Sequence, residues 1–150
     1  MTGLTYEEMT GWRNKASKRL KKAGWNVLSP VVGQLTGKNA QPKGTINTDS
    51  ERAGPGQEER RPIGRVSSAF VSQDHLYVQK TDAVLAYLLN APKVSIGTIW
   101  EMAWADAARK LLVTVVEPGG AHDHAFVRRR SNVFVPTLEE ALEYLEGLIP

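Results

Sequence analysis

Apolar residues recur at three- and four-residue steps over 5–23, where Tyr6, Met9, Trp12, Ala16, Leu20 and Ala23 form one stripe. That spacing predicts an amphipathic helix, with Gly24 as its C-cap. Trp25-Asn26-Val27-Leu28-Ser29-Pro30 predicts a short buried strand stopped by proline. Over 33–65 the pattern breaks down. Glycines and prolines punctuate a polar and charged stretch, which predicts a long loop, partly disordered or acting as a lid. Helical spacing returns over 66–80, with Phe70, Val71, Leu76, Tyr77 and Val78 as its apolar members.

A continuous apolar run follows, Ala83 to Leu89, and then Leu111 to Val116, a second strand-length segment apolar but for Thr114. Runs of strand length without alternation suit central strands of a parallel sheet, buried on both faces. Between them, 98–110 predicts a helix. After a Gly- and His-containing loop at 117–131, a short strand at 132–135 and a helix at 137–148 close the chain. Leu138, Ala141, Leu142, Leu145 and Leu148 form the buried stripe of that helix. Strands alternating with helices predict an α/β fold, a Rossmann-like or flavodoxin-like parallel sheet flanked by helices. The 150 residues fit one domain, 1–150, with an insertion at about 33–65. In such sheets ligands sit beyond the carboxyl ends of the strands, which directs attention to 90–97 and 117–131.

Composition narrows the chemistry. The chain has no cysteine, which excludes disulfides, thiolate metal sites and a cysteine nucleophile. No apolar run approaches the roughly 20 residues of a membrane span, and no basic-then-apolar leader opens the chain, so a cytoplasmic protein is expected. The formal net charge is only +3. Its cations cluster at Lys15, Lys18, Arg19, Lys21 and Lys22 and again at Arg128, Arg129 and Arg130. These read as solvated faces, or as attraction for a phosphorylated small molecule. A nucleic-acid-associated accessory protein using the two basic clusters is a weaker expectation, because the interleaved aromatics that base stacking needs are missing.

Three segments match the capping-box pattern: Thr5 with Glu8, Thr98 with Glu101, and Thr137 with Glu140. Glu101 differs from the other two. It follows an apolar strand and the small loop Ser95-Ile96-Gly97-Thr98, and its helical side carries Ala105 and Ala108, which leave room beside a carboxylate. Asp74 falls among Phe70, Val71, Tyr77 and Val78, on the apolar face of its helix. A carboxylate there is either a structural hydrogen-bond hub or a functional group with a raised pKa. Asp82 reads as a turn or capping residue. Paired carboxylates are the equipment for cleaving glycosidic bonds. His122, Asp123 and His124 make a weak metal signal, and no metal or other cofactor is expected. Ser95 lacks a nucleophile elbow and fits an anion-binding turn at a helix start. Trp12, Trp25, Trp100 and Trp104 read as core.

Asp74, Asp82-Ala83-Val84-Leu85-Ala86, Ser95-Ile96-Gly97-Thr98-Ile99-Trp100-Glu101, the Ala-rich helix and Lys110 before a strand stand in an order that resembles the nucleoside 2-deoxyribosyltransferase superfamily. That superfamily includes N-glycosidases that hydrolyse nucleoside 5'-monophosphates. The closing helix is also similar. The resemblance implies Glu101 as nucleophile on the anomeric carbon and Asp74 as its proton-handling partner. It implies substrate contacts from Ser95, Gly97 and Thr98, from Gly3 at the end of a truncated first loop, and more loosely from His124, often toward a neighbouring subunit. The transferases usually have Asp where this chain has Ser95, and the monophosphate hydrolases have Ser there, holding the 5'-phosphate. A nucleotide or nucleoside substrate and a homo-oligomer are therefore expected. So is a sheet that lacks the first strand of the family pattern. A non-catalytic nucleotide-binding module using the same cleft is the competing expectation.

Overall fold

The computed structural model describes residues 6–29, 63–91 and 93–150, with the side chains of 6–10 and 63–70 left aside. The predicted loop at 33–65 and the Thr5–Glu8 pair therefore lie largely outside the described residues, as does Gly3. In chain order the elements are α1 (Tyr6–Lys22), α2 (Ile63–Lys80), β1 (Ala83–Tyr87), α3 (Ile96–Ala107), β2 (Leu111–Val115), α4 (Ala125–Arg130), β3 (Val133–Val135) and α5 (Leu138–Glu146).

The three strands form a parallel sheet in the order β1-β2-β3. Ala83 pairs with Leu111 at one end of the first ladder and Tyr87 with Val115 at the other; Val113 pairs with Val133 in the second. Helices cover both faces, as parallel strands joined by helical crossovers require. On one face α1 and α5 pack Ala16, Leu20, Ala141, Leu142 and Leu145 against Val113 and Val115. On the other, Val78 of α2, Met102 and Ala105 of α3 and Val127 of α4 pack against Ala86, Leu112 and Val116. The expected α/β architecture is thus present, and it is Rossmann-like. No helix among the described residues is long and apolar enough to cross a membrane.

Several local expectations are corrected. Among the described strands, only β2 is buried on both faces. The Ala83–Leu89 run yields a strand of five residues that is the edge of the described sheet. Trp25–Ser29 forms no strand and instead lines the cavity that β1 also lines. Its indole instead donates Nε1–H to the Leu145 carbonyl at 3.0 Å. The 117–131 loop contains α4, started by His124, whose Nδ1 accepts from the Phe126 N–H at 3.3 Å. α3 ends earlier than predicted, at Ala107. Arg109 adopts a left-handed φ of 54° and Lys110 N–H returns to the Ala105 carbonyl, a closing turn of the C-cap type. Trp100, Val71, Leu76 and Leu148 are exposed rather than core.

The basic residues of α1 have a structural use. Arg19 donates from Nε and Nη2 to the two carboxylate oxygens of Glu146 at 2.6 and 2.7 Å, and also pairs with Glu139. Lys15 reaches Glu139 at 3.0 Å. Those contacts join α1 to α5. Of the second cluster, Arg128 grips Asp123 with both ends of its fork, and Arg130 approaches Asp106 at 3.4 Å.

Candidate active site

Glu101 lies one turn into α3, on the side that also carries Thr98, Met102 and Ala105. That side is fixed by packing: Met102 and Ala105 are buried against the sheet, so a residue one position before Met102 emerges at the sheet's flank. The capping-box reading of Thr98 with Glu101 does not hold. Ser95 occupies the N-cap, placing Thr98 inside the first turn, where its hydroxyl meets the Ser95 hydroxyl at 2.9 Å. The Glu101 carboxylate is thereby left for the cavity. At the other candidate box, Thr137 Oγ accepts from the Glu140 N–H at 3.2 Å and donates to the Glu140 carboxylate at 2.9 Å.

The cavity measures about 300 Å³ and runs along the outer side of β1, between α1 and the α2–α3 pair. This volume lies at the lower end of small-molecule pockets, roughly 300–1,000 Å³. Asp74 and Glu101 both line it, brought together from separate helices. So do Thr98, Tyr87, Trp12, Trp25 and Arg13. The cavity thus flanks β1 and the first turns of α3, away from the 117–131 loop. A second cavity of about 250 Å³ sits at the carboxyl ends of β1 and β2, bounded by Leu88, Asn90, Val116 and His122.

The electrostatics of the first cavity are unusual. Burial, reinforced by the Asp74 charge, pushes Glu101 up to about 7 against the pull of Arg13. Burial also raises Asp74, and Arg13 again opposes. Arg13 itself is lowered by burial and supported by Glu101 and then Asp74. Its guanidinium lies 4.5 Å from the centre of the Trp12 ring, and Trp12 stacks on Tyr87 with ring centres 4.6 Å apart. A carboxyl group poised near neutrality beside a second carboxyl can take up or give a proton at physiological pH. Among the described residues no cluster of three His, Asp or Glu side chains is arranged to hold a metal ion.

The other sequence candidates take different places. Ser95 is half-buried at the start of α3, where its N–H donates to His122 Nε2 at 2.9 Å. Gly97 is exposed, and a Cβ there would meet nothing within 4 Å. His124 is exposed, stacked on Phe126, and stands apart from the carboxylate cavity. It is His122, only 2% exposed, that reaches the Ser95 loop. Sequence reasoning missed Arg13. The signal was present, since Arg13 falls three and seven residues before Ala16 and Leu20 and so shares their buried stripe.

No protein-family model matches the chain, and no curated protein is significantly similar to it in sequence. Among solved structures, the chain is similar to the Clostridium botulinum CMP N-glycosidase BcmB. The match has a TM-score of 0.54 and 19% identity, and covers 95% of this chain and 89% of that one. At that identity the likeness establishes a shared fold. The described elements and this match together give one conclusion: the chain has a Rossmann-like α/β fold of the kind seen in a nucleotide N-glycosidase.

Proposed function

We propose that this protein cleaves the N-glycosidic bond of a nucleoside 5'-monophosphate or a nucleoside, using Glu101 and Asp74. The observation that carries the reading is that these two carboxylates, 27 positions apart on different helices, line one cavity with a half-buried arginine, and burial raises both. The shared fold with a CMP N-glycosidase supports the same reading.

In the proposed reaction a Glu101 carboxylate oxygen attacks the anomeric carbon. The carbon–nitrogen bond to the base breaks, and the base leaves with a proton from Asp74. The product is a glycosyl ester on Glu101. Water then attacks the same carbon, Asp74 takes its proton, and the ester bond breaks to regenerate the Glu101 carboxylate. A second base in place of water would make the reaction a transfer. Carboxylate is a weak nucleophile, so positioning and leaving-group protonation supply much of the acceleration. Ser95, Gly97 and Thr98, at the start of α3, are assigned to the phosphate, where backbone N–H groups and the helix dipole favour an anion. His124 is assigned a looser contact from a neighbouring copy.

The test is incubation with a panel of nucleosides and 5'-monophosphates, with free base followed by chromatography. Base release that disappears in Glu101→Ala supports the reading. Binding without release points to a non-catalytic nucleotide-binding module, and unchanged release in Glu101→Ala would sink the assignment of the nucleophile.

A further inference from the structure

We propose that His122 is a positioning residue that fixes the turn Ser95–Thr98 in the shape that takes a phosphate, and so sets a preference for phosphorylated over unphosphorylated ligands. The inference deepens the glycosidase reading and rests on it for the phosphate. Its physical content is a hydrogen bond between two loops, one after β1 and one after β2.

Ser95 stands in the loop between β1 and α3, next to the exposed Lys93 and Val94. Its N–H donates to His122 Nε2 at 2.9 Å, across 27 positions of sequence. His122 is itself only 2% exposed, and the loop that carries it is braced from within. The Gly120 N–H returns to the Glu117 carbonyl, the Asp123 N–H to the Gly120 carbonyl and the His124 N–H to the His122 carbonyl. Gly119, at a left-handed φ of 75°, donates its N–H to Asp123 Oδ2 at 2.7 Å, and Arg128 grips the same carboxylate. A Cβ at Gly120 would stand 3.0 Å from the Glu117 carbonyl oxygen, so the turn favours glycine there. Of the charged side chains around His122, Asp123 is thus engaged by Arg128, and Glu117, which lines the second cavity with the ring, is exposed.

The turn held in this way presents donors. An N-cap serine ordinarily uses its hydroxyl to satisfy one of the first-turn N–H groups. Ser95 is the N-cap of α3, yet its hydroxyl makes no capping bond and meets the Thr98 hydroxyl at 2.9 Å. Ile96 and Gly97 are exposed, and a Cβ on Gly97 would meet nothing within 4 Å, so an anion can approach the start of the helix closely. Binding there depends on where the N–H groups point, which the backbone at Ser95 sets, with φ −82° and ψ 98°. The ring acts on that backbone. As an acceptor at Nε2 it carries its proton on Nδ1. Without the acceptor, a part-buried N–H loses its partner and the turn must shift to satisfy it. Thr98 also lines the carboxylate cavity, so the same turn borders the proposed reaction centre.

Ribose 5-phosphate and ribose, each titrated into the protein with amide signals followed by NMR, separate the phosphate from the sugar. The unsubstituted protein is expected to bind ribose 5-phosphate more tightly than ribose, with the signals of Ile96, Gly97 and Thr98 moving. His122→Leu, which has no acceptor, is expected to weaken ribose 5-phosphate about tenfold and leave ribose within about twofold. His122→Gln, whose amide oxygen reaches about as far as Nε2, is expected to stay within about threefold of the unsubstituted protein. His122→Asn is one bond shorter and is expected to resemble the Leu variant. A merely structural loss would not produce that order. Should the Leu variant fail to melt cooperatively, the contrast between Gln and Asn is the deciding measurement. An affinity for ribose 5-phosphate that is unchanged in the Leu and Asn variants overturns the proposal. So does a Gln variant no better than Asn, and so does an unsubstituted protein that does not distinguish ribose 5-phosphate from ribose. If base is released from nucleosides and 5'-monophosphates alike while the turn ignores phosphate, the glycosidase reading stands and the role of His122 falls. If no base is released while phosphate binding follows the residue at 122, the glycosidase reading falls and the role of His122 stands.

Discussion

Glu101→Gln should make the protein more stable at alkaline pH and, under the proposed function, should abolish base release. Glu101 is held in an environment that prefers its protonated form, because burial and the nearby Asp74 outweigh the help of Arg13. An ordinary glutamate has a value of 4.5, and here it is pushed up to about 7. At roughly 1.4 kcal/mol per pH unit, ionising Glu101 in the folded protein costs about 3 kcal/mol relative to the unfolded chain. The sign follows from proton counting. Between about pH 4.5 and 7 the folded state binds more protons at this site than the unfolded state, so stability falls as pH rises through that window. Gln resembles the protonated acid in shape and carries no charge. The substitution should therefore be close to neutral at pH 4, gain stability progressively up to pH 7, and level off above it at up to about 3 kcal/mol. At about 2–4 °C per kcal/mol for a chain of this size, the melting temperature should rise on the order of 5–10 °C at pH 8. Calorimetry of both proteins at several pH values measures this. Equal melting temperatures at pH 8, or a difference that does not change with pH, would refute the claim that Glu101 is a half-buried carboxyl whose surroundings disfavour its ionised form.

If Glu101 is the nucleophile, base release should rise with pH through a limb near 7, and a rate that stays flat from pH 5 to 8 would contradict that assignment. His122→Ala leaves the Ser95 N–H without its acceptor and should destabilise the fold by about 1–3 kcal/mol in urea unfolding, with no effect disproving the clamp. Burial lowers His122, so its neutral form is favoured in the folded state; the stability it contributes should be present above its ordinary value of 6.5 and lost as pH falls below it, a dependence absent from the Ala variant. Leu142, fully buried on the inner side of α5, should cost about 2–5 kcal/mol when truncated to Ala, and a cost under 1 kcal/mol would mean that this face of the sheet is loosely packed.

The fold was legible wherever burial imposes a period. The stripe Leu138, Ala141, Leu142, Leu145 predicted α5, and three of those four side chains are buried as expected. Leu111 to Val116 predicted the central strand for the same reason, since a strand covered on both faces has no position for a polar residue except one with an internal partner. Thr114 shows the exception: it is fully buried and accepts from the Ser131 hydroxyl at 2.7 Å. The errors fall where tertiary context overrides local pattern. Trp25–Ser29 has strand composition, but a strand exists only when another lies alongside it. Trp100 is apolar yet sits off the buried side of α3. Its relative exposure of 58% could not be read from residue type.

The site was legible in its carboxylates and illegible in its cation, and the asymmetry has a physical origin. A carboxylate on an apolar stripe is conspicuous because few structural uses justify its desolvation, and Asp74 is such a carboxylate. Arg13 breaks the same rule on α1, yet it stands in a helix crowded with Lys15, Lys18, Arg19, Lys21 and Lys22, where one more cation reads as part of a solvated face. What separates it is the wheel rather than the count. Lys15, Lys18, Lys21 and Lys22 are exposed and Arg19 serves α5, whereas Arg13 turns toward Ala16 and Leu20 and into the cavity. A cluster of like charges on a helix thus holds two populations, the exposed lysines and the half-buried arginines that border the apolar stripe. Applied to α1 this criterion selects Arg13 and Arg19, three residues before and three after Ala16, and of the two it is Arg13 that enters the cavity lined by Asp74 and Glu101.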